Sequence, residues 1–168
     1  MSRCFVIQGF GKKTDYATGR VLNLDASYAI IKEAVEQAGH ECLRADEIVH
    51  SGNIDRLMYE HLLRADVVIA DLSTQNLNAA FELGVRYGLR PNATIIVAED
   101  GFNAAFDVNH QVIRRYKHLG EDVGRTETQR FQKDLQTAIA EVVGGERVDS
   151  PVYTLLKLRP PREESADD

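Results

Sequence analysis

The stretch Ala65-Asp66-Val67-Val68-Ile69-Ala70-Asp71-Leu72-Ser73-Thr74-Gln75-Asn76-Leu77-Asn78-Ala79-Ala80-Phe81-Glu82-Leu83-Gly84 reads as a buried strand, a polar turn and a helix with one acid on an otherwise apolar face. Val67 to Ala70 form a short apolar run rich in β-branched side chains and bounded by aspartates, the pattern of a parallel strand covered on both faces. Asp71 then stands at the carboxyl end of that strand, where open α/β sheets bind ligands. Asp66 stands at the opposite end and reads as structural. Asn76 or Asn78 can cap the next helix by accepting a backbone N–H from its open first turn. Either choice leaves Glu82 in the first or second turn, where the helix dipole favours an ionised carboxylate.

Outward from this unit, apolar runs alternate with helical periodicity, which predicts repeated strand–helix units and a parallel sheet. Cys4 to Gln8 reads as the first strand. Leu24, Tyr28, Ile31, Val35 and Ala38 recur at helical spacing, with Gly39 as the stop. Glu41 to Arg44 is a short second strand, and Ser51 or Asn53 opens a helix through Arg64 whose inner face is Ile54, Leu57, Met58 and Leu62. Past the Glu82 helix, Ala93 to Ala98 is a fourth strand and Val112 to Tyr116 a fifth, at an edge. The last helix runs from about Glu127 to Val143, turned inward by Phe131, Leu135, Ala138, Ile139 and Val142. The expected fold is one α/β, flavodoxin-like (Rossmann-like) domain over residues 1–148, with a parallel sheet of about five strands and helices on both faces. A C-terminal extension over 149–168 follows, and its end, Arg159 to Asp168, is expected to be disordered for want of large apolar residues.

At 168 residues the chain can bury a sizeable core without staples. Its 20 Lys and Arg against 26 Asp and Glu, a net charge of −6, argue against a general nucleic-acid surface, whose affinity comes largely from neutralising phosphates. No apolar run approaches the roughly 18 residues of a membrane helix, and the N-terminus lacks the pattern of a signal peptide. The expected protein is cytoplasmic, with no membrane contact. Cys4 and Cys42 open predicted strands without paired metal spacing, and His50, His61 and His110 share no ligand spacing. Reduced structural cysteines, no metal and no cofactor are expected.

Right-handed crossovers place the loops after the strands on one edge of the sheet. The first, Gly9-Phe10-Gly11-Lys12-Lys13-Thr14, joins two glycines that permit close backbone approach to two lysines, and so suits a phosphate held by N–H groups and ammonium charge. A solvated surface loop is the other reading. Its glycine spacing fits neither a Walker A loop nor the dinucleotide fingerprint. Asp46 and Asp71 can accept from ribose hydroxyls, although turn and cap chemistry uses the same residue types.

The motif segment resembles the nucleoside 2-deoxyribosyltransferase-like superfamily, in which a strand ending in Asp or Glu, a short polar turn and a helix with Glu-Leu-Gly follow in order. Asp66 to Asp71 and Glu82-Leu83-Gly84 are the matching residues. The pattern is most similar to a TIR-like branch, found also in proteins similar to the TRAF-binding region of apoptosis signal-regulating kinases. Cys4 to Lys13 and Arg44 to Ile48 fit it too, so the resemblance covers roughly residues 3 to 120. In the superfamily the helix glutamate attacks or stabilises the anomeric carbon of a nucleoside through an oxocarbenium-like transition state. The resemblance therefore implies a nucleotide N-glycosidase acting on NAD or a nucleoside monophosphate. Glu82 and Asp71 would be catalytic, and Gly9, Phe10, Gly11, Lys12, Asp46, Ser73, Asn76 and Asn78 would contact substrate.

Two departures narrow that expectation. Met58 stands where deoxyribosyltransferases and deoxynucleotide hydrolases carry an aspartate, and Asn76 where the transferases carry another. A thioether cannot assist proton transfer and an amide is no base. Deoxyribosyl transfer is therefore not expected, and a hydrolase would need Asp71 or Asp46 as its acid. The alternative is a TIR-like module that binds a nucleotide or a protein partner without chemistry. Related enzymes often complete their sites across a subunit interface, so a homo-oligomer is a further expectation. Glu82 is expected at the floor of the main pocket.

Overall fold

The computed structural model describes residues 1–48, 52–104, 108 and 111–164. Ser51, the alternative helix start, and His50, His110 and 165–168 lie outside the described residues. Within them the order is β1 (Arg3–Ile7), β2 (Lys12–Asp15), β3 (Arg20–Asn23), α1 (Leu24–Gln37), β4 (Glu41–Arg44), α2 (Ile54–Arg64), β5 (Val67–Asp71), α3 (Leu77–Leu89), β6 (Thr94–Glu99), β7 (Ile113–Tyr116), α4 (Arg125–Val142) and α5 (Pro151–Leu155), with 3-10 turns at Ala45–Glu47 and Ser73–Gln75. No described helix is long and apolar enough to cross a membrane.

Every residue of β5 and β6 is buried, as their unbroken apolar runs require of strands covered on both faces. They are the centre of a five-stranded, all-parallel sheet ordered β4-β1-β5-β6-β7, the flavodoxin-like order. Ile31, Val35, Phe131, Leu135 and Ile139 from α1 and α4 fill one face. Leu62, Ala79, Leu83 and Tyr87 from α2 and α3 fill the other. Winding reverses between β1 and β5, so the crevice characteristic of such sheets opens at their carboxyl ends.

Lys12 to Thr14, expected to belong to a loop, open an antiparallel hairpin of two four-residue strands, with Lys12 opposite Asn23 and Asp15 opposite Arg20. Leu22 is its buried apolar anchor. Polar contacts hold the rest: Arg20 donates to Glu99 (3.0 Å) and to the His118 carbonyl (2.6 Å), and Asn23 N–H donates to the Gly120 carbonyl (2.7 Å). A hairpin fixed by such distant partners leaves no alternating apolar pattern for the sequence to reveal.

The expected end of the domain at residue 148 falls beside tightly bound residues. Asp149 accepts the Thr94 N–H (3.1 Å), Ser150 N–H reaches the Pro91 carbonyl (3.1 Å), and Ser150 Oγ donates to the Tyr87 carbonyl (2.7 Å). Further along, Glu163 pairs with Arg64 at 2.6 Å.

Arg86, in the last turn of α3, is fully buried among carbonyls. It donates to Leu62 (2.8 Å), Ala65 (3.0 Å) and Ala93 (3.1 Å) carbonyls and to Thr94 Oγ1 (3.2 Å). Burial pushes its pKa down to about 10, so the guanidinium remains charged at neutral pH. Arg86→Met keeps the bulk but leaves these acceptors unpaired, and is expected to cost about 3 kcal/mol. Chemical denaturation measures that loss, and an unchanged midpoint would show that the carbonyls find other donors.

Candidate functional site

Asp71 ends β5 inside the protein, 1 % exposed. Its Oδ2 accepts from Gln8 Nε2 (2.7 Å) and the Tyr116 hydroxyl (2.7 Å), and its Oδ1 from the N–H (3.0 Å) and hydroxyl (2.6 Å) of Ser73. Ser73 Oγ in turn accepts the Glu99 N–H at 2.9 Å. Burial first, and then the Asp71 charge, push the Tyr116 phenol well above its usual range, so it stays a donor. This clasp holds a tight turn in which Thr74 and Gln75 have φ of 67° and 57°. A β-branched residue in the left-handed region is strained by about 1–3 kcal/mol.

The turn delivers Asn76, which settles the choice of cap: its side chain accepts the Ala79 N–H at 3.2 Å. Asn78 is exposed in the first turn. Gly9, just past β1, lies so close that a Cβ there would stand 2.8 Å from Asn76 Nδ2 and 3.2 Å from Leu24 Cδ1. The crevice thus joins Gly9 to Asn76 by a contact that only glycine permits.

Arg44, ending β4, is 4 % exposed and organises the other side. It grips Asp46 with Nε (2.5 Å) and Nη2 (2.9 Å), Asp25 with Nη2 (2.8 Å) and the Gln8 side-chain carbonyl with Nη1 (3.2 Å), and lies 4.3 Å from the Tyr28 ring centroid. Asp25 also takes the Gly11 N–H at 2.9 Å. That bond first, and then Arg44, hold its carboxyl below the usual range. Lys12 reaches Glu121 at 2.7 Å, and Lys13 lies over the half-exposed Phe10 ring, 5.6 Å from its centroid.

Glu82 stands apart from this network. It is half-buried in the second turn of α3, the helix that packs on β1 and β5, and has no hydrogen bond or ion pair among the described residues. Val85 and Leu89, on the same stripe, line a groove against α2 with Tyr59 and Leu63. Ala45, Ile48, Met58 and Val85 pack half-buried on this face of the core. Burial alone pushes the Glu82 carboxyl up to about 7.

Of the residues singled out in the sequence, Gly9, Phe10, Gly11 and Asp46 gather around Arg44, and Asn76 abuts Gly9. Asp71 and Ser73 lie beneath them with their bonding capacity engaged, and Lys12 turns toward Glu121. A cavity of about 1040 Å³ lies instead between α3, α4 and α5 at the start of β6, lined by Leu83, Tyr87, Thr94, Arg114 and Asp149. Glu82, expected at the floor of the main pocket, does not line this cavity. Helical spacing located Glu82 on its face but could not tell which side of α3 would be covered. Gln8, Asp25 and Tyr116 escaped the sequence reading, because each gains meaning from a partner distant in the chain. Among the described residues no group of three or more His, Cys, Asp or Glu is placed to hold a metal ion. No protein-family model matches the chain, and no curated protein matches it.

Because burial raises Glu82 from 4.5 to about 7, the folded state keeps a proton that the unfolded chain releases in that window. Stability from this group is present below about pH 4.5 and is lost as pH rises toward 7. Glu82→Gln should therefore match the parent protein at pH 4 and exceed it at pH 8 by on the order of 1–3 kcal/mol. Paired denaturation curves at the two pH values test this, and equal offsets at both would mean that the carboxylate is well solvated.

Proposed function

We propose that this chain is an N-glycosidase-type hydrolase that cleaves the ribosyl–base bond of a nucleotide, with Glu82 as its central carboxylate. The observation that carries this reading is the half-buried state of Glu82 in the second turn of α3, without a partner among the described residues and with its pKa raised to about 7. An ionised carboxylate there can attack or stabilise an anomeric carbon as positive charge develops on the sugar. The likeness of its Glu-Leu-Gly helix to the deoxyribosyltransferase-like and TIR-like superfamily supports the same role.

The state of the other acids bears on the substrate. Asp46 is gripped by Arg44, Asp71 is surrounded by donors, and Met58 offers no proton. The base of a nucleoside monophosphate leaves more readily when an acid protonates it. Nicotinamide leaves NAD as a neutral molecule, because the pyridinium nitrogen recovers its electron pair as the bond breaks. A Glu82 with no second acid available to it among the described residues therefore favours NAD over a nucleoside monophosphate.

Incubation with NAD and with a panel of nucleoside monophosphates should release nicotinamide faster than any other base. The rate should rise with pH through about 7 as Glu82 ionises. Glu82→Gln should lower it about 10²-fold or more with thermal stability retained. If no base is released from any nucleotide, the glycosidase reading fails.

A second reading, a non-catalytic TIR-like module for nucleotide sensing or protein interaction, is favoured by the internal use of the crevice's polar groups. The Gly11 N–H is taken by Asp25, and the Asn76 side chain caps α3. Nucleotide binding without base release would support it.

A further inference from the structure

We infer that Cys4 and Cys42 form a peroxide-driven modification site, closing reversibly into a disulfide across two adjacent parallel strands. Cys4 in β1 and Cys42 in β4 are register partners. Registered neighbours in a sheet lie about 4.8 Å apart, inside the roughly 4.4–6.8 Å Cα window of disulfides. Both side chains enter the same core cluster, so both sulfurs lie on one face of the sheet, and both are free thiols.

The two sulfurs differ in ways that assign them roles. Hydrogen bonding from Cys4 lowers the Cys42 pKa, with Tyr28 and Lys32 adding to the effect against burial. Burial pushes the Cys4 thiol well up. Cys42 also belongs to β4, the edge strand of the sheet, where local opening exposes a sulfur more readily than at the centre. Cys42 is thus the attacking thiolate and Cys4 the resolving thiol.

The oxidant is a hydroperoxide. The Cys42 thiolate attacks one peroxide oxygen, forming an S–O bond as the O–O bond breaks and hydroxide leaves to take up a proton. Cys4 sulfur then attacks the Cys42 sulfenic acid. The S–S bond forms, the S–O bond breaks, and the oxygen departs as water with the Cys4 proton. With hydrogen peroxide, two thiols lose two electrons and one peroxide becomes two waters. The bond ties the edge strand to β1 two residues before Arg44, the hub of the crevice.

The test treats the full chain with hydrogen peroxide, quenches, and maps peptides without reductant. The expected product is one intramolecular link between the Cys4 and Cys42 peptides, reversed by a dithiol. With Cys4→Ser, dimedone should trap a sulfenic acid at Cys42, and with Cys42→Ser, Cys4 should remain alkylatable after denaturation. If Cys4→Ser does not fold, Cys4→Ala serves as the same arm. The inference is overturned if both thiols survive an exposure that fully oxidises free cysteine, if Cys42 passes to sulfinic acid with Cys4 intact, or if linkage joins separate copies.

Discussion

A buried carboxylate that no cation pairs among the described residues sets the terms for the carboxyl edge of the sheet. Asp71 keeps its place because four hydrogen bonds reach it, and leaving such a group unsatisfied in the interior would cost several kcal/mol. Its donors are not local to one element. Gln8 follows β1 and is held in turn by Arg44 of β4, Tyr116 ends β7, and Ser73 also receives the N–H of Glu99 in β6. A single polar belt therefore crosses all five strands, and each member is oriented by the next.

The belt explains the contrast between the two acids of the opening motif. Asp71 faces inward at a strand end, where four donors converge. Glu82 is half-buried in the second turn of α3 and meets no donor among the described residues. One carboxylate supplies architecture, and the other carries an unrelieved desolvation penalty. Unrelieved penalties of this kind are where chemistry or ligand binding is stored, since a substrate that develops positive charge relieves them.

The sheet and its flanking helices were legible because burial on two faces forces unbroken apolar runs, and burial on one face forces helical spacing. Val67 to Ala70 and the α4 stripe of Phe131, Leu135 and Ile139 carry those constraints openly. Arg44 and Arg86 were not legible, because a buried guanidinium is permitted only by carbonyls and carboxylates that the fold brings from elsewhere. The hairpin failed for the same reason: Lys12 to Asp15 has no apolar signature, and Arg20 is held by Glu99 across the sheet edge. Asn76 could not be separated from Asn78 until the left-handed turn at Thr74 fixed where α3 begins.

The bonds from Asp149 and Ser150 to Thr94, Pro91 and Tyr87 bear on how the chain is made. Synthesis proceeds from the amino end, so β6 and α3 leave the ribosome well before their last partners. Until residue 150 emerges, the first N–H of β6 has no carboxylate and the Tyr87 carbonyl has no hydroxyl donor. Elongation from the end of β6 to residue 150 therefore proceeds with one end of the central sheet unsealed.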